Sequence, residues 1–451
     1  MKDNKHTHTR VESRQVKRGG QNHKAIGYLC QHARRLYNRS NYLARQAFFA
    51  GEKVSDQAID KILKKGELAE NDKALYQVLG SAASQRTVQI MGQNWKSYFA
   101  ALKAFSKTPS KFKAKPKPPR YAKSAKTLYL SRNAFCVKDG KMEFASKLGL
   151  VPLDVSRLVH IQPFNAPVKD TVIKEVRFVP TGNTYRIELI YIKPISTQQN
   201  RNLTVLLDRN KNLFIDLGID NLATLVSDQP DIAPVLISGR AMKSINAKYN
   251  KDVAVLRAKG AYPHIRNKGV KRRNALKDYL HKTSHWIIHH CLKHDLGTIV
   301  LGHNPDWKQS INIGKVNNQK FVSIPHATLI HQIQYKASEF GINVIVREES
   351  YTSKASALDC DVVPNYGDKV KGTFSGKRIK RGLYRTGSGR LLNADVNGAL
   401  NIGRKELGDA FISKLVNSGC VFQPKRLCFL KGKANGFRRT DTKPSCLKTA
   451  A

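Results

Sequence analysis

The chain is long and strongly basic. Its 451 residues include 79 Lys plus Arg against 33 Asp plus Glu, a formal charge of +46, and 41% are hydrophobic. Such a length corresponds to roughly two to four domains, each with its own hydrophobic core. The charge favours nucleic acid as partner, with an acidic membrane surface as the alternative. The sequence has no run of about 18 apolar residues and no signal-peptide core, so we expect a soluble, cytoplasmic, nucleoid-associated protein that does not bind membranes.

Helical periodicity dominates the first hundred residues. Apolar positions recur at helical spacing from 26 to 50, beside several arginines, and again from about 79 to 105, where Trp95 is expected to pack. We predict a small helical domain here.

A proline-rich basic stretch follows. Lys107 to Lys126 holds eight basic residues and no acidic one, and its prolines exclude a helix. Phe112 and Tyr121 lie between the charges, which favours a nucleic-acid groove over the alternative of a solvated linker. The candidate binding residues are Lys111, Lys113, Lys115, Lys117, Arg120 and Tyr121. Residues 127 to 195 then alternate as strands do, and predict a β-barrel or sandwich.

The last large segment has the element order of a ribonuclease-H-like fold. Its expected elements are strands at 212–218, 221–227 and 234–238, helical material at 241–295, a strand at 298–301, a helix at 326–340, a strand at 342–346 and a helix beginning near Asp395.

Two carboxylates in this segment are candidate metal ligands. Asp216 ends the first strand, and Asp395 lies in the first turn of the last helix, where a helix cap is the alternative role. Two Mg²⁺ ions about 4 Å apart, held by such oxygens, activate water and stabilise the leaving oxygen in phosphodiester hydrolysis. A third carboxylate is required.

Three motifs resemble the RuvC nuclease domain of TnpB proteins, transposon-encoded RNA-guided endonucleases related to type V CRISPR effectors. They are Ile215–Thr224, Tyr351–Lys354 and Asn393–Ile402. The resemblance implies an α/β multidomain protein with a RuvC domain, a wedge-like β-barrel and a helical recognition domain. The implied domains are 1–20 (first barrel strand), 21–106 (helical recognition), 107–200 (basic segment and barrel), 201–404 (RuvC, with a helical insertion at about 241–295) and 405–451 (helix and disordered basic tail).

The resemblance also implies the partners and the reaction. They are a guide RNA derived from the transposon end, target double-stranded DNA, and Mg²⁺-dependent cleavage of DNA paired to the guide. Two other functions stay open: a catalytically silent RNA-guided DNA-binding protein or repressor, and an unguided ribonuclease-H-like nuclease.

The middle carboxylate departs from the family pattern. Most relatives carry a glutamate at the end of the fourth strand, but Gly302 stands there in this chain. A glutamate at the tip of the neighbouring fifth strand could reach over Gly302 towards Asp216. We predict Glu349 as the relocated ligand, with Glu348 as the alternative and two surface charges as the remaining possibility.

The zinc ribbon of relatives is also missing. Between the last two motifs Cys360 is the single cysteine, and one thiolate cannot assemble a zinc site, so no structural zinc is expected. We predict a zinc-free loop that holds a nucleic-acid strand through Lys377, Arg378, Lys380 and Arg381. We interpret His281, His285 and His289, at four-residue spacing, as flanking a helix core stripe rather than as metal ligands.

Overall fold

The chain forms two compact units, Met1–Arg201 and Asn202–Ala451. The computed structural model describes residues 7–156, 172–194, 207–304, 324–368 and 374–429. No helix in these ranges has the length and apolar character needed to cross a membrane. The basic tail predicted to be disordered, from Lys431, lies outside the described residues.

Helices form the early part of the first unit. They are α1 (Gln21–Phe49), α2 (Asp56–Lys65), α3 (Glu70–Leu79) and α4 (Ser81–Lys107). The sequence periodicity predicts α1 and α4 but misses the two short helices between them. Trp95 of α4 is buried, and its indole nitrogen donates a hydrogen bond to Asn41 Oδ1 at 2.9 Å. The predicted packing role of Trp95 is therefore confirmed.

Two open antiparallel sheets complete the first unit. Its strands are β1 (Thr7–Gln15), β2 (Leu128–Ser131), β3 (Phe135–Lys138), β4 (Lys141–Phe144), β5 (Leu153–Asp154), β6 (Val172–Thr181) and β7 (Thr184–Pro194). One sheet has the order β1-β7-β6-β2 and the other β3-β4-β5. The prediction of a closed barrel is wrong for the described residues, because the outer strands β1 and β2 do not pair with each other. Strand alternation reports burial on one face and does not specify closure.

A six-stranded mixed sheet forms the centre of the second unit. Its elements are β8 (Asp208–Asp216), β9 (Asn221–Ser227), β10 (Val235–Ser238), α5 (Arg240–Ala258), α6 (Tyr262–Lys293), β11 (Leu296–Gly302), α7 (His326–Glu339), β12 (Asn343–Arg347), β13 (Lys377–Lys380), β14 (Leu383–Arg385), β15 (Leu391–Asn393), α8 (Ala394–Leu407), α9 (Ile412–Ser418) and β16 (Lys425–Leu427). The order is β12-β11-β8-β9-β10-β16. β8, β9 and β10 are antiparallel neighbours, whereas β11 and β12 run parallel to β8.

The central strand and the covering helix explain where the core lies. Every residue of β11 is buried, as expected for a continuous apolar run between two parallel neighbours. Helix α8 packs against β8 and β9. A Cβ at Gly403 of α8 would lie 2.6 Å from the Phe214 ring, so glycine is required for this close approach. The carboxyl ends of β8, β11 and β12 therefore meet at one edge of the sheet, beside the start of α8.

Candidate active site

Asp216 lies where β8 ends against helix α8. The residue is half-buried, and its Oδ2 lies 2.8 Å from the position that a Cβ on Gly398 would take. Glycine at position 398 thus leaves the space that the carboxylate occupies.

Asp395 lies in the first turn of α8, as predicted, but it does not cap the helix. The cap is Asn393, whose side chain accepts hydrogen bonds from the amides of Asp395 and Val396. The Asp395 carboxylate instead accepts a bond from Asn221 Nδ2 at 2.7 Å and one from Arg378 Nη2 at 2.9 Å. The capping alternative for Asp395 is wrong, because the preceding asparagine does that work.

Glu349 reaches over the glycine of the neighbouring strand. β11 pairs in parallel with β12, with Gly302 opposite Arg347, and Glu349 follows two residues later. Glu349 Oε2 lies 2.9 Å from the position of a Cβ on Gly302, while the Glu349 amide donates to Asn304 Oδ1 at 3.1 Å. Any side chain at position 302 would displace this carboxylate.

Glu348 is engaged elsewhere. Its carboxylate accepts a hydrogen bond from Lys405 Nζ at 2.6 Å and another from the Ser350 amide at 2.7 Å. Burial alone would raise the pKa of Glu348, but these hydrogen bonds lower it below its usual value. The structure therefore gives the two adjacent glutamates different surroundings, with Glu349 near Asp216 and Glu348 in an ion pair.

The electrostatics of the sheet edge favour a cation. Burial, followed by the charges of Glu349 and Asp395, raises the pKa of Asp216 well above its usual value, and Arg378 opposes this. Burial and the neighbouring charge of Glu348 raise the pKa of Glu349 to about 7. Among the described residues no hydrogen bond reaches the Asp216 or Glu349 carboxylate. A bound cation would stabilise the ionised form of both.

The donor set suits a hard divalent cation. Carboxylate oxygens are the ligands that Mg²⁺ takes in proteins. In the described part of the chain no three His, Cys, Asp or Glu side chains already stand close enough to hold an ion. Asp395 is paired with Arg378, and it would have to exchange this partner to join Asp216 and Glu349.

Two buried asparagines of α8 hold the segment that carries Glu349. Asn397 and Asn401 are both fully buried. Asn401 Nδ2 donates to the carbonyls of Thr352 and Ala355, and Asn397 Nδ2 also donates to that of Ala355. These hydrogen bonds attach residues 349 to 355 to α8, the helix that carries Asp395. Sequence reasoning missed this role, although an asparagine pair spaced by four within an apolar helix was a visible signal.

A small sheet occupies the interval that was predicted to be a loop. Strands β13, β14 and β15 pair in antiparallel order, so the loop prediction is wrong. Its support comes from Asp359, whose carboxylate accepts hydrogen bonds from the amides of Gly387 and Ser388 and from the Ser356 hydroxyl. Paired strands and the Asp359 carboxylate therefore hold this interval in place of the predicted loop.

This sheet brings two of the predicted basic residues to the site. Arg378 forms the ion pair with Asp395, and Arg381 forms one with Asp220. Lys377 and Lys380 are exposed.

The predicted basic segment of the first unit is fixed at its far end. Asn38 exchanges two hydrogen bonds with the backbone of Ala122, and Asn41 donates to the carbonyl of Pro119. Apart from a short 3₁₀ turn at Pro109–Lys111, the stretch up to Lys126 has neither helix nor strand. The predicted binding residues Lys111, Lys113, Lys115, Lys117 and Arg120 are all exposed.

The two aromatic residues of this segment have partners within the chain. The Phe112 ring packs edge-on against Phe105 at 5.6 Å between centroids. The Arg45 guanidinium lies 5.7 Å from the centre of the Tyr121 ring, which is 45% exposed. Tyr121 therefore keeps an accessible face, whereas Phe112 has a packing contact of its own.

A family model described as a probable transposase (OrfB_IS605) matches residues 195–308, and a Cas12f1-like TNB domain model matches residues 326–402. The first range contains Asp216, and the second contains Glu349 and Asp395. In both ranges the chain is similar to proteins of the TnpB type. The resemblance predicted from the three motifs is thereby confirmed.

Individual relatives agree with this assignment. The chain is 26% identical over 423 residues to a TnpB-like protein of Acidianus two-tailed virus, covering 83% of this chain and 81% of the relative. It is 27% identical over 215 residues to the CRISPR-associated endodeoxyribonuclease Cas12f1 of Sulfoacidibacillus thermotolerans, covering 44% and 46%.

Solved structures are matched more distantly. A Cas12f1–sgRNA–target DNA complex aligns at 16% identity and a TM-score of 0.34, covering 88% of this chain and all of that chain. The mini-RNA-guided endonuclease CRISPR-Cas_phi3 aligns at 8% identity and 0.40, covering 88% and 92%. At these scores the superpositions carry no argument about the fold.

Proposed function

We propose that this protein is an RNA-guided DNA endonuclease of an insertion element, with Asp216, Glu349 and Asp395 as the ligands of its catalytic Mg²⁺ ions. One observation carries the proposal: carboxylates from three separate segments converge at one sheet edge in a chain of net charge +46. Structural ion pairs would match such charges with nearby cations, whereas Asp216 and Glu349 have none in hydrogen-bonding contact among the described residues.

The sheet topology supports a ribonuclease-H-like nuclease. Three antiparallel strands followed by two parallel ones, in the order β12-β11-β8-β9-β10, give the arrangement expected from the sequence. We assign nuclease chemistry to the second unit, and nucleic-acid binding through helices and the basic segment to the first. One relative supports this assignment, since it is named an endodeoxyribonuclease.

The chemistry follows from the charges at the site. When bound, Mg²⁺ would lower the pKa of a water molecule and neutralise charge on the leaving 3′ oxygen. Asp216 and Glu349 would supply negative charge, and Asn221 would orient Asp395. Arg378 is 45% exposed in its side chain, so it could move from Asp395 to a substrate phosphate.

The test is to purify the protein with RNA transcribed from the DNA flanking its gene. The RNA that co-purifies is sequenced, and a target library with randomised flanks is incubated with Mg²⁺. We expect one defined RNA species adjoining the gene and cleavage of matched DNA, which Asp216→Asn abolishes. Cleavage without RNA would support an unguided nuclease, and guided binding without cleavage would support a silent DNA-binding protein; either result would overturn the proposal.

A further inference from the structure

The first unit has a groove whose lining residues all belong to that unit. It is open, has a volume of about 420 Å³, and lies along the first half of α1. Its helix wall includes Lys24, Tyr28, Gln31 and Arg35, spaced by three and four residues and therefore on one face. This volume lies within the range of about 300–1,000 Å³ that is typical of pockets for small organic ligands.

Tyr185 of β7 forms the opposite wall because α1 has a glycine beside it. A Cβ at Gly27 would lie 3.0 Å from the Tyr185 hydroxyl, closer than ordinary contact. The Tyr185 ring also packs edge-on against His23, with 5.3 Å between centroids. These contacts fix the ring, so the groove exists without a ligand.

Tyr28 presents an exposed aromatic face in this groove. It is 57% exposed, and its ring lies 4.2 Å from that of His32 between centroids. A tyrosine ring that leaves most of its surface in water, held by a neighbouring ring, can stack with a planar ligand. Bases of single-stranded nucleic acid stack on such residues irrespective of sequence.

The charged residues that line the groove favour binding of an anion. Lys24 and Arg35 are exposed, and neither forms an ion pair within the described residues. No carboxylate lines the groove. The two cations are eleven residues apart, about 16 Å along the helix axis, with Tyr28 between them. This arrangement suits a ligand in which an aromatic ring is flanked by negatively charged groups.

We propose that this groove binds an unpaired nucleotide of a single-stranded nucleic acid. Its base stacks on Tyr28, and its flanking phosphates contact Lys24 and Arg35. The proposal rests on the nucleic-acid-binding part of the proposed function, and it is independent of cleavage.

The test measures binding of labelled ten-nucleotide single-stranded RNA and DNA to the full-length protein over a range of salt concentrations. Tyr28→Ala should weaken binding about tenfold without changing the slope of affinity against salt, because stacking releases no counterions. Tyr28→Phe should bind as the wild type does. Lys24→Gln and Arg35→Gln should each reduce the salt slope by about 0.7, the value for one phosphate contact to a single strand.

Tyr42→Ala is the matched control. Tyr42 lies on the same helix, is 42% exposed and does not line the groove. Loss of RNA binding alone would identify RNA as the source of the nucleotide, and equal loss of both oligonucleotides would identify a site common to RNA and DNA. Wild-type affinity of Tyr28→Ala, or an equal loss in Tyr42→Ala, would overturn the proposal.

The nuclease proposal and the groove proposal can be refuted independently of each other. A wild-type protein that cuts no DNA but still loses affinity through Tyr28→Ala would refute the nuclease and support the groove.

Discussion

Replacing Gly398 with alanine should separate activity from stability. The added methyl would lie 2.8 Å from Asp216 Oδ2, and ordinary contact begins at 3.4 Å, so the carboxylate must move by about 0.6 Å. Errors of about 1 Å in catalytic geometry cost on the order of 100-fold in rate. We therefore expect Gly398→Ala to slow Mg²⁺-dependent cleavage of guide-matched DNA by at least about tenfold.

Stability should change little in the same variant. Alanine in place of glycine inside a helix stabilises by about 1 kcal/mol, and the displaced side chain costs about the same. The Tm should stay within about 4 °C of wild type. Gly269→Ala is the control, because its methyl would meet Tyr249 at an acceptable 3.6 Å and no carboxylate. Wild-type cleavage by Gly398→Ala would refute the argument that this glycine positions Asp216.

Four further outcomes are expected. Asn221→Ala removes a hydrogen bond to Asp395, and it should raise the Mg²⁺ concentration for half-maximal cleavage about 10- to 100-fold; an unchanged Mg²⁺ titration would contradict that role. Asn401→Ala removes the donor to the Thr352 carbonyl and one of the two donors to the Ala355 carbonyl, so it should lower the free energy of unfolding by about 1–3 kcal/mol in urea denaturation; a wild-type midpoint would contradict this role. Burial, with the charges of neighbouring basic groups, lowers the pKa of His290 to about 3, so the stability that its neutral form contributes is complete above about pH 6.5 and is lost as the pH falls. His290→Gln should therefore flatten the decline in Tm between pH 7 and 4, and an unaltered slope would contradict this. Dialysis against a zinc chelator should leave the Tm unchanged, since Cys360 stands alone in its interval, and stoichiometric zinc in the purified protein would refute this.

The sequence predicts the sheet of the second unit well. Apolar runs such as that of β11 are long, and glycines and helix signals mark where they end. The first turn of α8 is predicted for the same reason, since Asp395 precedes a clear helical apolar face. These elements depend on local patterns, which a single sequence contains.

The errors concern contacts between distant segments. The open edges of β1 and β2 depend on how residues more than a hundred positions apart pair. The small sheet β13–β15 is hidden by its basic composition, and its support by Asp359 involves residues about thirty positions away. The choice between Glu348 and Glu349 also depends on contacts between distant segments, because Lys405 pairs with Glu348 and Gly302 leaves space for Glu349.

We propose that Glu349 supplies the carboxylate that most relatives carry at the position of Gly302. The most direct measurement compares the cleavage rates of Glu349→Gln and Glu348→Gln on guide-matched DNA, with Tm as the check on folding. We predict that Glu349→Gln loses more than about 100-fold, which exceeds the usual cost of removing an outer-shell partner. Glu348→Gln should retain cleavage, because its carboxylate pairs with Lys405. Undiminished cleavage by a folded Glu349→Gln protein would contradict the account.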